Sequence, residues 1–414
     1  MTRGAEVIVI GAGVVGITCA LALQGAGCAV TVLDRKGVAA EASAGNAGAF
    51  AFADVIPLAT PGIMRKAPKW LLDPLGPLSV PPGYAAQIAP WMRRFWRASW
   101  RDRYDSALAA QTALMRLSAE ALDTLIVETG ARALVRDEGQ LQLYEGQRAY
   151  EASLPGWETR AAHGVAFRLL DRPEAIAEIQ PGLSPRFTHA GFTSGWRNVT
   201  DPALWVAHLA EVFRARGGRI EIAEVRALRQ EGETVVLDCA DGVRWADRAV
   251  ICAGAWSHHL ARTLGDDIPL ETERGYNTTL PAGAFDLRTH LTFPDHGFVV
   301  SRIGQGVRVG GAVELGGLKR PPNWQRAGVL LDKARGFLPG LRAEGGTQWM
   351  GFRPSLPDSL PVIGPAPRAD RVTYAFGHGH LGLTQSAGTA ALVATLVTGA
   401  APRIDLSPYA ATRF

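Results

Sequence analysis

The sequence has no Cys-x-x-Cys pair, no histidine spacing of the metal-binding kind and no apolar run of 18 residues. Each absence removes a class of protein. The four cysteines, Cys19, Cys28, Cys239 and Cys252, lie far apart. They read as small buried residues in a reducing compartment, not as a disulfide framework. Nine histidines without ligand spacing give no metal site. The nearest approach to a membrane span, "AGTAALVATLVTGA" (387–400), is short and interrupted by glycine and threonine, so it reads as a buried helix. The opening "MTRGAEVIVIGAG" has one basic residue, an acid and a short strand-like run, which is not a secretory signal. Net charge is +4 over 414 residues, too dilute for a nucleic-acid face. The expected location is the cytoplasm, with peripheral attachment to the inner face of the membrane as the one alternative.

What is present is an ordinary globular composition, 47% apolar and 20% charged, long enough for two domains with sizeable cores. The most informative segment is "EVIVIGAGVVGITCALALQGAGCAVTVLDR" (6–35). Val7–Ile10 form a short buried strand, and Gly11, Gly13 and Gly16 spell G-x-G-x-x-G. An apolar helix follows, then a second parallel strand ending at Asp34. The first glycine makes a tight turn. The second lets a pyrophosphate approach the backbone, and the third lets helix and strand pack closely. Asp34 stands where a carboxylate accepts hydrogen bonds from a ribose 2′-OH. This unit serves NAD and FAD alike.

Three further segments favour FAD. "ASAGNAGAF" (42–50) is a small-residue loop past which a flavin could slide, with Asn46 offering an amide. "DRAVICAGAWS" (247–257) is a second apolar strand ending in Ala253 and Gly254, where the chain can pass close to a ligand. "YAFGHGHLGLTQSAG" (374–388) is a third strand, a glycine-rich turn and a helix, whose free N-terminal N–H groups suit the electron-rich end of a reduced flavin. In that turn His378 reads as a space-filling or backbone-bonded group. His380 is a candidate for facing the active site.

These motifs, with "GFRPSLPDSLPVIG" (351–364), resemble the D-amino-acid oxidase superfamily of flavoproteins. They look most like its bacterial D-amino-acid dehydrogenase branch, of the small FAD-carrying type. The segments "ATPGIMRKAPKWLLDPLGPL" (59–78), "DEGQLQLY" (137–144), "RGYNTTLP" (274–281) and "GVRVGGAVELGG" (306–317) follow in the same order, so the resemblance covers nearly the whole chain. It implies an α/β fold, α+β overall: a Rossmann-like FAD-binding domain and a substrate domain on a mixed or antiparallel sheet. The expected division is 1–55, 190–262 and 349–414 for the first and 56–189 and 263–348 for the second. Short Val-, Phe-, Leu- and Tyr-rich runs in 137–144 and 294–314 fit such strands. Asp201 and Pro202 open a helix in 200–230.

The implied reaction oxidises the Cα–N bond of an amino acid. Hydride passes to flavin N5, and the imino acid hydrolyses to a 2-oxo acid and ammonia; a proline-like substrate gives a cyclic imine. FAD contacts are expected from Gly11, Ala12, Gly13, Val14, Val15 and Gly16, and from Asp34 and Arg35. Others are expected from Ser43, Ala44, Asn46, Ala47 and Gly48, from Val225 near the adenine, and from Ala253, Gly254 and Trp256. Gly379, His380, Leu381, Gly382, Leu383 and Thr384 complete the set. No Cys or His stands in a recognised covalent-anchor spacing, so FAD is expected to be non-covalent. Arg353 matches the arginine whose planar fork takes the substrate carboxylate. Tyr276 matches a tyrosine that adds its hydroxyl there, or else is a core tyrosine. His296 stands where relatives place an aromatic residue over the substrate, or else is a surface loop histidine. Asp358, five residues from Arg353, is not needed as its partner.

Electrons are expected to pass to a quinone or another acceptor, and a homo- or hetero-oligomer is open. The alternatives within the class are a D-proline or hydroxyproline dehydrogenase and a sarcosine-, glycine- or opine-type amine oxidase. More remote are an NAD-dependent enzyme and a non-catalytic nucleotide-binding protein. The segment "PWMRRFWRASWRDRYD" (90–105) interleaves arginine and tryptophan. It reads either as an interfacial or partner-docking helix or, preferred, as an amphipathic helix that buries its aromatics.

Overall fold

A computed structural model describes residues 4–65, 76 and 78–414. Most of the 59–78 segment lies outside the described residues. The first sheet has six strands in the order Arg219–Ile222, Ala29–Asp34, Glu6–Ile10, Arg248–Ile251, Ala369–Phe376, Val362–Ala366. The first five run parallel and the last pairs antiparallel. Val7, Val9, Val30, Val32, Val250 and Ile251 are buried. Branched side chains covered on both faces are what a parallel sheet requires. Helices Val14–Gly25, Pro202–Ala215 and Gly382–Thr398 cover one face and share its core. A three-stranded antiparallel sheet, Val225–Glu231, Thr234–Cys239 and Gly242–Ala246, contributes to the core on the other. The helix at Pro202 starts as its sequence predicts: Asp201 Oδ1 accepts from the N–H groups of Ala203 and Leu204 at 2.7 and 3.2 Å.

The second sheet has nine strands. Its main path is Thr347–Ser355, Glu271–Leu280, Gly306–Leu315, Phe298–Ile303, His290–Phe293, Gln140–Glu145, Phe187–Thr193, Arg168–Leu170. Most neighbours are antiparallel; Gln140–Glu145 pairs parallel with His290–Phe293, and Leu78–Ser79 parallel with Gly306–Leu315. One face packs on helix Gln325–Phe337 through Val300, Val307, Val309, Leu330, Ala334 and Phe337. The fold is therefore the mixed α/β arrangement that the sequence implies. Strands Phe187–Thr193 and Thr347–Ser355 both belong to this sheet, so the expected limits at 190 and 349 fall inside strands. A strand cannot leave its ladder halfway without orphaning backbone groups.

The Arg/Trp segment corrects the expectation of one helix. Helix Ala85–Ala98 ends at Ser99, and Trp100, in extended conformation, precedes helix Arg101–Thr129. Arg97 clamps the corner by forking onto Asp102 at 2.7 and 3.0 Å. Trp91 is buried, but Trp96 and Trp100 remain 49% and 47% exposed, edge to face at 5.6 Å. The preferred reading, that this segment buries its aromatics, holds for Trp91 and not for the pair at the corner.

Candidate active site

The nucleotide motif folds as its glycines dictate. Gly11 has φ +110°, and a Cβ there would sit 2.4 Å from the Cys252 carbonyl oxygen. A Cβ on Gly16 would lie 1.8 Å from Gly11 O, so helix Val14–Gly25 rests directly on the turn. The helix has no N-cap side chain of its own, and Ser43 Oγ accepts from Val14 N at 2.9 Å instead. Asp34 fixes the crossover. Its Oδ2 accepts from Ala12 N at 2.8 Å, and its Oδ1 from Lys36 N and Gly37 N at 2.8 and 2.9 Å. Three of about four acceptor sites are taken, leaving one for a ribose hydroxyl. Beside it the Arg35 guanidinium stacks 3.7 Å over the Trp256 ring and pairs with Glu41 at 2.7 Å.

These residues open one end of a cavity of about 800 Å³ between the two sheets. Gly11, Gly13, Val14, Val15, Asp34, Arg35, Ser43, Asn46, Ala47, Val225, Ala253, Gly254 and Trp256 line it, as do Gly379, His380, Leu381, Gly382, Leu383 and Thr384. Of the residues expected at the cofactor, Ala12, Gly16, Ala44 and Gly48 do not line it. Ala12 and Gly16 support the turn from behind, Ala44 O accepts from Arg308 Nη1 at 3.1 Å, and Gly48 N donates to Asn46 Oδ1 at 2.8 Å. Helix Gly382–Thr398 begins at Leu381 without a side-chain cap, so its first N–H groups are available to a ligand. Two strand residues that the sequence did not single out hold the 42–50 loop against the large sheet. Asn277 Nδ2 donates to Gly45 O at 2.9 Å, and Arg308 Nη1 donates to Asn46 O at 2.5 Å. Asn277 Oδ1 is buried without a partner among the described residues. A glycine cradle, an uncapped helix start and an orphaned acceptor suit a dinucleotide with a polar ring edge.

The other end of the cavity carries the charge. Arg353 lies on the edge strand Thr347–Ser355, and its guanidinium covers Gly275 of the neighbouring strand. A Cβ on Gly275 would come within 2.3 Å of Nη2. Nη1 donates to Ala312 O at 3.0 Å, the one hydrogen bond that the Arg353 side chain makes to a described residue. Burial pushes the guanidinium below its usual range while the Glu273 charge opposes this. An arginine keeps its proton regardless. Asp358 is not its partner: Arg413 takes that carboxylate in a fork at 2.7 and 3.2 Å. His380 faces the same space. Its ring is open to the cavity, yet desolvation by the surrounding protein lowers its pKa; Asp54 and Glu273 oppose this and the Arg353 charge adds to it. The far wall is polar: His290 pairs in register with Gln140, and Thr292 with Gln142. Burial pushes the His290 imidazole down to about 4, so it stands neutral beside Trp196.

Tyr276 and His296 take the alternatives given for them, a core tyrosine and a loop histidine, and not the substrate-facing roles. Tyr276 borders the cavity, but its hydroxyl donates to Glu314 Oε2 and accepts from Asn323 N at 3.1 Å. The register explains this. Glu273 opposes Arg353 and Gly275 opposes Gly351, whereas Tyr276 alternates to the other face with Arg274, which pairs with Glu314 at 3.6 Å. His296 is not among the cavity residues; its Nε2 pairs with Glu145 Oε1 at 2.6 Å and its ring packs edge-on to Phe337. His378 is buried, with Nε2 2.9 Å from Thr389 Oγ1, as its space-filling reading expects. Sequence reasoning missed Glu273, only 6% exposed and part of the cavity wall. The available signal was an acid inside the apolar-flanked strand "LETERGYNTTL".

A nucleotide cradle joined to an arginine-bearing pocket under an antiparallel sheet defines a flavin-dependent oxidoreductase site. The chain belongs to the family of FAD dependent oxidoreductases of the DAO type, whose model matches residues 6–396. It is 36% identical over 422 aligned positions to a D-amino-acid oxidase of Bradyrhizobium diazoefficiens, with all of both chains covered. It is 34% identical to a D-amino acid dehydrogenase of Rhizobium johnstonii, covering 99% of this chain and 100% of that one. Its fold matches the crystal structure of glycine oxidase from Geobacillus kaustophilus with a TM-score of 0.78 at 22% identity, over the whole of both chains.

Proposed function

We propose that this protein oxidises the Cα–N bond of a D-amino acid and delivers the electrons to a quinone or another acceptor. The observation that carries this reading is Arg353. It is an arginine on the edge strand of the large sheet with one nitrogen pinned to Ala312 O and the remainder of its fork not hydrogen-bonded to any described residue, next to a nucleotide cradle. A charged donor fork held there is matched by a carboxylate. Binding by that fork fixes the orientation of Cα, which is the protein's main contribution in a cofactor enzyme. Bound FAD supplies the two-electron acceptor.

The turn Gly11–Gly16 and helix Val14–Gly25 hold the pyrophosphate, Asp34 and Arg35 the ribose and adenine side, and the helix starting at Gly382 the pyrimidine end. Trp256 closes the adenine side through its stack with Arg35. Arg353 and His380 face the substrate. The exposed Trp96–Trp100 corner, with exposed Arg93, Arg94 and Arg103 on the same two helices, is the candidate surface for peripheral membrane contact, which salt-sensitive sedimentation with membranes would support and full solubility at low salt would refute. The segments on the six-stranded sheet form the FAD-binding domain and those on the nine-stranded sheet the substrate domain.

The test is a substrate panel: D-amino acids, D-proline, hydroxyproline isomers, sarcosine and opines, with an artificial electron acceptor, watching flavin bleaching. A D-amino acid should bleach the flavin. Bleaching by sarcosine or opines alone would reassign the enzyme within its family. Hydrogen peroxide release separates an oxidase from a dehydrogenase. Denaturation should release free FAD; yellow colour in the precipitate would refute non-covalent attachment.

A further inference from the structure

Glu273 is a carboxylate in a place where a carboxylate is costly. It is 6% exposed and lies on the cavity wall. It makes no side-chain hydrogen bond or ion pair with any described residue; its interactions with Arg353, His380 and Glu271 are long-range charge effects. Buried charges are ordinarily paired and hydrogen-bonded. The sheet register puts Glu273 directly opposite Arg353, with Cβ atoms about 5 Å apart by strand geometry. The two side chains thus present a cation and an anion side by side to the same space. An α-amino acid presents the complementary pair, a carboxylate and an ammonium on one carbon.

We propose that Glu273 binds the α-ammonium group of the substrate beside Arg353 and takes its proton. This rests on the amino-acid reading of the site. One N–H bond of the ammonium breaks and one O–H bond forms on Glu273. The electron pair stays on nitrogen, so the amine is neutral when Cα–N oxidation begins. Ammonium and carboxylate become neutral amine and carboxylic acid, and no other reactant is consumed. A route onward exists behind the carboxylate. A second cavity of about 20 Å³ is lined by Glu273, Gln111 and Ser355. That is room for one water. Gln111 Oε1 and Ser355 Oγ are both buried there without a partner among the described residues. The other charged or titratable groups around Glu273 are Arg353 on the neighbouring strand and His378 and His380 on the turn before the last helix. Asp54 comes from the 51–58 segment, and Glu271 lies two residues back on the same strand, bonded to the Tyr84 hydroxyl at 2.8 Å.

Two variants of the holoenzyme test this, Glu273→Gln and Glu273→Asp, each first checked for bound FAD by absorbance. Titration with propionate, a carboxylate without an amine, is followed in the flavin spectrum. Glu273→Gln should bind propionate about tenfold more tightly, because a like charge beside Arg353 is gone. Anaerobic flavin reduction by the best D-amino acid is then followed across pH. Glu273→Gln should be slower by on the order of 10²-fold at neutral pH. It should recover about tenfold per pH unit as the amine loses its proton in solution instead. Glu273→Asp should keep the wild-type pH profile and propionate affinity with a lower rate. Unchanged propionate affinity in Glu273→Gln, or a wild-type pH profile in that variant, overturns the proposal. If the Gln variant does not fold, a wild-type reduction rate in Glu273→Asp overturns it. Propionate binding needs no turnover, so an enzyme that oxidises no amino acid would refute the functional reading while the charge test still decides the role of Glu273.

Discussion

Arg353→Leu is the decisive perturbation of the functional reading. Leucine keeps an apolar stem on the strand but removes the fork that covers Gly275, and with it the charge. Breaking one partner of a buried, hydrogen-bonded charge pair costs about 2–5 kcal/mol. At about 1.4 kcal/mol per factor of ten, that is roughly 30- to 4,000-fold in kcat/KM. The structure puts this site toward the upper end. The arginine is half-buried in the cavity wall, where a bound substrate would cover it, and its loss leaves the Glu273 carboxylate alone facing an incoming carboxylate. We expect a fall of about 10³-fold in kcat/KM for the best D-amino acid, with KM rising steeply. Arg353→Lys keeps a point charge but not the planar fork, and should fall between the two. The assay is steady-state turnover with an artificial acceptor, with FAD content measured on the same preparation. FAD occupancy should hold, because Arg353 bonds to Ala312 O and not to the glycine turn. A loss below tenfold in a fully FAD-loaded variant would refute the assignment. So would an equal loss on an amine that has no carboxylate, since that loss could not come from the fork.

Four further outcomes follow from the geometry. Gly275→Ala places a methyl against the Arg353 guanidinium and should raise KM while leaving FAD content intact, as read by turnover and absorbance. Gly16→Ala drives a methyl into Gly11 O and should yield protein depleted of FAD, visible as loss of the flavin band. Tyr276→Phe should change kcat/KM less than twofold yet lower Tm, because Glu314 loses a buried donor worth about 1–3 kcal/mol. His290 and His378 are held neutral, with values of about 4 and about 3 against about 6.5 in the unfolded chain. Below pH 6.5 the unfolded chain therefore binds more protons than the folded one. Stability should fall on acidification toward pH 4, by about 1.4 kcal/mol per pH unit for each fully responding group. His290→Gln should flatten a Tm-against-pH curve over that window; an unchanged slope would show that His290 does not contribute.

The nucleotide half of the molecule was legible because its chemistry is local. Gly11, Gly13, Gly16 and Asp34 sit within one strand–helix–strand unit, so spacing along the chain is spacing in space. The turn before the last helix was legible for the same reason: strand, glycines and helix follow one another directly. The corner at Ser99 was not. Amphipathic spacing carries straight through "RRFWRASWRD", and nothing in the local pattern requires Trp100 to turn extended. The break is spanned by an exposed Arg97–Asp102 ion pair, and the two helices pack into different cores, Trp91 with Leu315 and Leu108 with Trp196. The limits at 190 and 349 failed for a related reason, since strand ends are set by the partners across the ladder.

The substrate pocket shows the limit most clearly. In "ETERGYNTTL" alternate side chains turn to the cavity face of the sheet, but the sequence does not say which set does. Reading Tyr276 as a carboxylate ligand chooses one parity; the register chooses the other, in which Glu273, Gly275 and Asn277 go in and Arg274 and Tyr276 go out. Arg353 settles the choice physically. Its guanidinium needs a neighbour without a side chain, and Gly275 is the residue opposite its strand that supplies one. Once Gly275 lies under Arg353, alternation carries Glu273 to the same face and turns the Tyr276 hydroxyl to Glu314. The glycine of "RGY" is therefore the informative residue of that motif, and the acid two positions before it becomes part of the site as a consequence.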